Sequence, residues 1–382
     1  MTNFFENLLD ETHRMVRSTA RKFAEREIRP FAYEWEEAGL FPRELYARAA
    51  EAGVLQIGFP EEVGGAGGGA LEMVMAIEGM MYGGSTGVCV GLGSLGIALP
   101  ALVQSEDAEL IDRFVRPTLR GELIAALGIT EPNTGSDVAA VSTRAVRDGA
   151  DYVVNGAKLF ITSGVRADFV TTLVRTAPDP HGGLSFLVIE RDRPGFEVSR
   201  ALKKTGWLAS DTAELSFTDV RVPATNLVGP EGSGFVTLMR NFQTERLALA
   251  AYGAATAQLA FEEAREYASQ REAFGRPIAK FQVNRHKLAE MWTQVLAART
   301  LVYQVAHAMD RGAFVVTEVS AAKNFCAEVA VAVTYDAVQL HGGMGYMRET
   351  LVERLSRDAR LLPIGGGTQE IMNEIIARNL DV

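Results

Sequence analysis

One carboxylate stands beside an arginine on a stretch of chain that is otherwise apolar. Glu245 and Arg246 are followed by the apolar run 247–250. At helical spacing, Glu245 shares one face with Leu249 and Tyr252. A carboxylate on such a face indicates a buried acid–base group with a raised pKa, suited to taking a proton from a weak carbon acid. The alternative is a surface or helix-capping acid whose charge is met by water or by Arg246.

A second chemical pattern, Gly-x-Gly-x-x-Gly, lies at Gly91, Gly93 and Gly96. On a strand–turn–helix unit this spacing cradles the pyrophosphate of a dinucleotide. Here the glycines lie in a region of helical character, and no alternating pattern of strands and helices follows. We therefore interpret them as points of close helix packing rather than as a nucleotide site.

Metal and disulfide chemistry find little support in the sequence. The two cysteines, Cys89 and Cys326, each lie within an apolar stretch. This placement favours buried free thiols and a reducing compartment, with a cytoplasmic location as the default. The five histidines lack metal-ligand spacing, so no metal site is expected.

The chain that positions these residues changes twice in its pattern of apolar residues, from helical to strand-forming and back to helical. Residues 11–119 carry apolar side chains at helical spacing, with breaks at a glycine-rich loop and at prolines. From about residue 125 to 228, β-branched and aromatic runs alternate with Asp-Gly, Asn-Gly and Pro-Gly turns, which is typical of an antiparallel sandwich or barrel. Long helical runs return from Gly234. We predict a mainly α protein with a central β domain, an α+β fold, divided into 1–124, 125–232 and 233–382.

Charge and hydropathy argue against two kinds of partner. The 382 residues include 48 acidic and 38 basic side chains, and the net charge of −10 disfavours binding to nucleic acid or to an anionic membrane. The longest apolar tract, 88–103, is interrupted by glycines and by Pro100, so it is not expected to cross a bilayer. Residues 1–10 lack the pattern of a signal peptide. We expect neither nucleic-acid binding nor membrane insertion.

Short blocks spread across the chain form a larger pattern. They occur at residues 127–137, 156–164, 204–207, 212–223, 231–235, 245–246, 270–277, 339–346, 357–360 and 367–368. In order and spacing, these blocks resemble the FAD-dependent acyl-CoA dehydrogenase family over nearly the whole chain. The resemblance implies an N-terminal helical domain, a central β-barrel and a C-terminal four-helix bundle. It also implies a homotetramer, a dimer of dimers, that binds FAD and acyl-CoA and passes electrons to electron transfer flavoprotein.

The same resemblance implies a set of cofactor-binding residues. Thr130 and Thr162 would bond the edge of the isoalloxazine ring, and Phe160 would stack against it. A cation for the pyrophosphate would come from Arg271 of a neighbouring subunit. The full implied set is Leu127, Ile129, Thr130, Gly135, Ser136, Phe160 and Thr162, with Arg271, Phe274, Gln282, Gln339 and Gly343 from the neighbour, and Thr368 and Glu370 closing the near side.

The catalytic base is where this chain departs from the commonest family pattern. A glutamate usually precedes Gly-Thr, but this chain has Gly366 before Gly367 and Thr368. The chain is then most similar to the branch with long-chain and isovaleryl-CoA dehydrogenases, whose base lies on the first long C-terminal helix, here at Glu245. Gly366 would still offer its backbone N–H to the thioester oxygen. The implied substrate-binding residues are Ser136, Arg246, Tyr252 and Gly366.

Other functions on the same fold remain open at this level. They are a flavin monooxygenase, a nitroalkane oxidase and, if the base is missing, a non-catalytic acyl-CoA-binding scaffold. The length of the acyl chain is a separate question. Gly365 and Gly366 predict room for a long or methyl-branched chain, unless Tyr252 or the segment 92–103 fills that space.

Overall fold

The chain folds in the α, β, α order that its sequence predicts. The computed structural model describes residues 4–381, so residues 1–3 and 382, at the outer ends of the first and third predicted domains, lie outside it. The structure is 54% helical with a large mixed sheet in the middle of the chain, which confirms the predicted fold class. The division at residues 124 and 232 stays a prediction.

The first third is a group of helices around a buried apolar core. Its helices are α1 Glu11–Glu27, α2 Ala32–Ala38, α3 Glu44–Glu51, α4 Ala70–Met81, α5 Thr86–Leu92, α6 Leu95–Ala98, α7 Pro100–Gln104, α8 Ala108–Leu110 and α9 Arg116–Leu119, with a π turn at Ile111–Val115. Helix α1 begins after Asp10, whose side chain accepts the N–H of His13 at 2.9 Å. It lies so close to α4 that a Cβ on Gly79 would be 2.5 Å from the carbonyl oxygen of Arg17.

The apolar tract 88–103 is divided between short helices. Within residues 4–381, no single helix is long and apolar enough to cross a membrane. One bent pair, Thr86–Leu92 with Leu95–Gln104, passes by length and composition alone. The cysteine of this tract, Cys89, and Cys326 are both free and buried, as the sequence predicts.

The middle of the chain forms one curled sheet. Its strands are β1 Ala125–Gly128, β2 Arg144–Asp148, β3 Asp151–Thr162, β4 Phe169–Arg175, β5 Leu184–Glu190, β6 Phe196–Ala201, β7 Thr212–Pro223 and β8 Leu227–Val228. The strand order is β6-β7-β3-β2-β4-β5-β8, with β1 pairing to β4 in parallel. Strands β2 and β4 meet through one residue pair, Arg144 and Arg175, so the sheet divides there into two parts. Residues of both parts, such as Val154 and Val170, share one buried core, which gives the sheet its barrel-like form.

The parallel pairing of β1 and β4 differs from the antiparallel sheet that the turn signals predict. Turn signals report only hairpins between neighbouring strands. The β2–β3 hairpin lies within the connection between β1 and β4, and such a long connection allows parallel pairing.

The last third is a helical bundle. Its elements are α10 Gly234–Gln270, the short strands β9 Glu272–Ala273 and β10 Arg276–Pro277, and then α11 Gln282–Asp310, α12 Val316–His341, α13 Leu351–Ala359 and α14 Gln369–Asn379. Helix α10 has 37 residues and begins at Gly234, well before the apolar run 247–250. Small residues let α12 approach it closely, since a Cβ on Gly253 would lie 2.7 Å from the carbonyl oxygen of Cys326.

Two buried carboxylates join the three parts of the chain. Asp358 on α13 accepts the backbone N–H of Trp207, from the β region, at 2.6 Å. Glu36 on α2 accepts the Ser85 hydroxyl at 2.9 Å and the N–H of Ala209 at 3.2 Å. Burial, and the nearby negative charge of Glu36, raise the pKa of Asp358 to about 7. The joint between the domains therefore contains a carboxyl group that resists ionisation.

We expect Asp358→Asn to flatten the dependence of stability on pH. A carboxyl whose pKa is raised from 3.8 to about 7 in the folded state favours folding only while it is protonated. The free energy of unfolding of the wild type should therefore fall as the pH rises from about 4 to about 7, by a few kcal/mol more than that of the variant. Urea unfolding at a series of pH values measures this. Asp112→Asn, at an exposed carboxylate, should follow the wild type. Parallel curves for wild type and Asp358→Asn would contradict the assignment.

Candidate active site

Glu245 lies on α10 opposite the glycine loop that joins α13 to α14. A Cβ placed on Gly366 would be 3.6 Å from Oε1 of Glu245 and would overlap Cδ1 of Leu249. The carboxylate of Glu245 on the helix therefore lies next to Gly366, the loop position that has no carboxylate of its own. The loop and helix α10 are brought together although they are far apart in the sequence.

Burial controls the charge of Glu245. Its side chain is half-buried and faces the cleft between α10 and the glycine loop. Removal from water raises its pKa to about 7, although the positive charges of Arg246 and Lys323 act in the opposite direction. A carboxyl group that titrates near neutral pH can both accept and hold a proton there.

The glycine loop can adopt its shape only because it lacks side chains. Gly366 has φ +65° and Gly367 has φ +99°, angles that L side chains rarely adopt. A Cβ on Gly367 would lie 2.6 Å from the terminal methyl of Met372. Gly366 keeps its backbone N–H while a side chain at this position would be strained.

Helix α12 fixes this loop from the other side. The amine of Lys323, which is buried, donates to the carbonyl of Gly367 at 2.6 Å. The amide of Asn324 donates to the carbonyl of Gln369 at 3.0 Å. Thr368 accepts the N–H of Ile371 at 3.4 Å and so caps α14, while Glu370 is exposed. Lys323 was not predicted as a site residue, because its only signal in the sequence is a lone lysine within a largely apolar helix.

Arg246 brings a second buried charge next to Glu245. Its guanidinium carbon lies 5.3 Å from the centroid of the Phe242 ring, and burial lowers its pKa. Within residues 4–381 its Nε has no hydrogen-bond partner, although the side chain is buried. A buried guanidinium group with an unused donor is suited to a polar part of a bound ligand.

A buried ion pair holds the loop that begins the predicted flavin site. The amine of Lys158 on β3 donates to Glu131 and to the carbonyl of Ile129, both at 2.9 Å. Burial lowers the pKa of Lys158 to about 8. Burial opposes ionisation of Glu131, but Lys158 and the hydroxyls of Ser142 and Thr143 lower its pKa to about 2. The pair therefore carries opposite charges at neutral pH and fixes residues 129–131 to the sheet.

The adjacent part of β3 presents an aromatic ring and hydroxyl groups. Phe160 has φ +62° and is 65% exposed, at an irregularity in the pairing of β3 with β7. Thr130 and Thr162 are half-buried, and the N–H of Leu159 donates to the carbonyl of Thr130 at 2.8 Å. An exposed aromatic face beside hydroxyl donors fits the flat, partly polar isoalloxazine ring.

The other residues predicted for this part of the cofactor lie on the same loop or its approach. Leu127 and Ile129 pack against the main core. Gly135 and Ser136 are exposed, and a Cβ on Gly135 would meet nothing within 4 Å. The loop therefore has open space on its outer side, where a phosphate group could approach the backbone.

The remaining predicted cofactor residues lie at the far end of the bundle. Arg271 ends α10, about 39 Å along the helix axis from Glu245 at 1.5 Å per residue. Phe274 follows in the β9–β10 hairpin with φ +53° and 96% of its side chain exposed. Gln282, Gln339 and Gly343 are also exposed. The structure does not bring this group to the Glu245 cleft of the same chain.

Sequence comparison assigns a family description to each part of the chain. "Acyl-CoA dehydrogenase, N-terminal domain" matches residues 10–122, and the "middle domain" of the same description matches residues 126–220. The "C-terminal domain" matches residues 232–380. Together these matches cover most of the chain.

Individual relatives agree with these matches. A solved structure of a probable acyl CoA dehydrogenase from Mycobacterium abscessus is 55% identical, with a TM-score of 0.96 over 98% of this chain and 100% of that one. The mitochondrial long-chain specific acyl-CoA dehydrogenase of Sus scrofa is 39% identical over 98% of this chain and 87% of its own. The short-chain specific acyl-CoA dehydrogenase of Clostridium acetobutylicum is 37% identical over 97% of this chain and 98% of its own.

We expect Lys158→Met to destabilise the protein by roughly 3–5 kcal/mol, because it leaves the Glu131 carboxylate buried without its cation. Urea unfolding at neutral pH measures the loss. Lys287→Met is the matched control, since Lys287 pairs with Asp336 at a more exposed position, and its loss should stay below about 1 kcal/mol. Adding Glu131→Gln to Lys158→Met should recover part of the stability. Equal, small losses in both single variants would show that the buried pair does not hold the loop.

Proposed function

The chain belongs to the acyl-CoA dehydrogenase family, and from this premise we propose that Glu245 is the base that starts α,β-dehydrogenation of an acyl-CoA thioester. Members of the family are FAD-dependent oxidoreductases that act on a CH–CH bond. The proposed product is the trans-2-enoyl-CoA.

The observation that carries the proposal is the convergence of Glu245 and Gly366. The position where a loop glutamate would begin lies 3.6 Å from the carboxylate oxygen of Glu245. The helix residue can therefore serve the same point in space as a glutamate at position 366. Its pKa of about 7 suits proton transfer at neutral pH.

The protein groups of the site divide the work of removing the α-proton. Glu245 accepts the proton, while the backbone N–H of Gly366 donates to the thioester oxygen as negative charge develops there. Lys323 donates to the carbonyl of Gly367 and so holds the glycine loop that presents this N–H. Bound FAD supplies the acceptor for the hydride from the β carbon. Both polar groups act in a cleft with apolar walls, where their interactions are strengthened.

We propose that the two separated groups of cofactor residues serve one FAD across a subunit boundary. Thr130, Phe160 and Thr162 would contact the ring, with Ser136 near the pyrophosphate. Arg271 and Phe274, about 39 Å along α10 from Glu245, would reach the cofactor of a neighbouring subunit. Phe274 supports this arrangement because its ring is 96% exposed beside Phe281 and is therefore accessible to a neighbouring subunit. The proposed assembly is a homotetramer, with electron transfer flavoprotein as the electron acceptor.

Sequence similarity to the relatives does not by itself indicate the length of the acyl group. A long-chain and a short-chain specific relative have nearly equal identity to this chain, 39% and 37%. Gly365 supports the wider pocket proposed from the sequence, since a Cβ there would meet only Leu361, at 3.8 Å. From the space at this loop alone we propose a long or methyl-branched acyl group, and the length that the cleft admits depends on the residues farther along α10.

We expect Glu245→Gln to keep bound FAD and to abolish bleaching of the flavin by acyl-CoA without oxygen. The amide keeps the shape of the side chain but cannot take a proton, and loss of general-base catalysis costs about 10²–10⁴-fold or more in rate. Stopped-flow absorbance of the flavin measures it. Glu266→Gln, at an exposed position on the same helix, should behave as the wild type. Near-normal bleaching by Glu245→Gln would refute the assignment.

The same experiment separates the alternatives on this fold. A wild-type protein that binds acyl-CoA without bleaching would be a scaffold rather than a dehydrogenase. Rapid reaction of the reduced protein with oxygen would favour the monooxygenase or oxidase instead.

We expect the wild-type rate of flavin bleaching, at limiting acyl-CoA, to rise with pH through about 7. The raised pKa keeps Glu245 protonated, and unable to act as a base, on the acidic side of that value. The measurement is the second-order rate constant for bleaching from about pH 5.5 to about pH 8.5. A rate that is flat over this range would show that Glu245 titrates elsewhere.

A further inference from the structure

Tyr252 lies on the face of α10 that carries Glu245, two helical turns farther along. Seven residues at 1.5 Å each place it about 10 Å from Glu245 along the axis. Leu249 lies between them on the same face and contacts the position of Gly366. A chain bound with its α carbon at Glu245 and extending along this face would therefore reach Tyr252.

The wall along this path is apolar. Leu249, Tyr252, Val90 on α5 and Leu361 are half-buried and pack against a separate apolar cluster. That cluster consists of Trp207, Ala327, Ala330, Ala359 and Leu362. Half-buried apolar side chains along a cleft are the environment that a hydrocarbon chain requires.

The Tyr252 side chain reaches across this cleft to α5. Its hydroxyl donates to the carbonyl of Cys89 at 3.4 Å. A Cβ on Gly93 would lie 3.2 Å from the same hydroxyl oxygen. The tip of the phenol thus lies against the backbone of Cys89 and Gly93 and closes the space between α10 and α5 at this point.

We propose that Tyr252 is the floor of the acyl cleft and sets the greatest length of a straight acyl chain. This inference rests on the proposed function. A methylene zigzag built from C–C bonds of about 1.5 Å advances roughly 1.3 Å per carbon, so a path of about 10 Å holds about eight carbons. The floor therefore narrows the proposed acyl group: it excludes straight chains much longer than about eight carbons, and it leaves branched chains and straight chains of medium length.

The first test is a substrate panel on the FAD-loaded protein with isovaleryl-, octanoyl- and palmitoyl-CoA. The wild type should use octanoyl-CoA with a kcat/KM at least about 10-fold above that for palmitoyl-CoA. Tyr252→Ala should raise the kcat/KM for palmitoyl-CoA by about 10-fold relative to octanoyl-CoA. Tyr252→Phe keeps the ring and loses the hydroxyl, so it should keep the wild-type order.

A second readout does not depend on turnover. The dissociation constants of the unreactive thioethers S-octyl-CoA and S-hexadecyl-CoA report whether the cleft accepts a long chain. The wild type should bind the octyl compound more tightly, and Tyr252→Ala should remove or reverse that preference. Tyr252→Leu provides a second shortened variant if the alanine variant folds poorly.

The outcomes separate the two proposals. Two results would contradict the proposal that Tyr252 is the floor: tighter binding of S-hexadecyl-CoA than of S-octyl-CoA by the wild type, or an unchanged preference for the shorter chain in both shortened variants. Neither result would contradict the proposed function. Absence of bleaching by every acyl-CoA would overturn the proposed function, while the thioether constants would still decide whether Tyr252 is the floor.

Discussion

The hydrogen bond from the buried amine of Lys323 to the carbonyl of Gly367 is the contact on which the geometry of the site depends. At 2.6 Å it holds the glycine loop against the face of α10 that carries Glu245. The loop can approach so closely because Gly366 and Gly367 adopt positive φ angles and have no Cβ to collide with Leu249 and Met372. The same close packing that excludes a side chain at Gly366 places the carboxylate of Glu245 beside that position.

Buried ionisable side chains occur at two places where separate parts of the chain meet. Lys158 and Glu131 tie the 129–131 loop to the sheet, and Asp358 and Glu36 lie where helices meet the Trp207 segment. Burial of such groups is costly, and a buried ion pair is a weak source of net stability. These groups fix the relative orientation of the segments that they join, because their hydrogen bonds form in only a few arrangements of those segments.

Helix α10 carries the proposed base of one active site, and its far end leads to residues proposed to bind the FAD of a neighbouring subunit. Its 37 residues carry Glu245 and Tyr252 along one face and end at Gln270, directly before Arg271. A straight helix of this length cannot bring both ends to one ligand. The proposed sharing of FAD between subunits follows from this rigidity, as does the limit on acyl length, since Tyr252 is fixed at a set distance from the base.

The sequence by itself determined the α, β, α order, because helical and strand periodicities are local properties of the chain. It also singled out Glu245, through an apolar helix face and through blocks that resemble one family. It did not reveal Lys323 or Lys158 as anchors, because a lone lysine in an apolar run looks the same whether its amine reaches water or a buried carbonyl. Only the tertiary structure placed Gly366 at Glu245 and the Tyr252 hydroxyl at Cys89. Those contacts join segments distant in sequence, and they are decided by how closely side chains and backbone can pack.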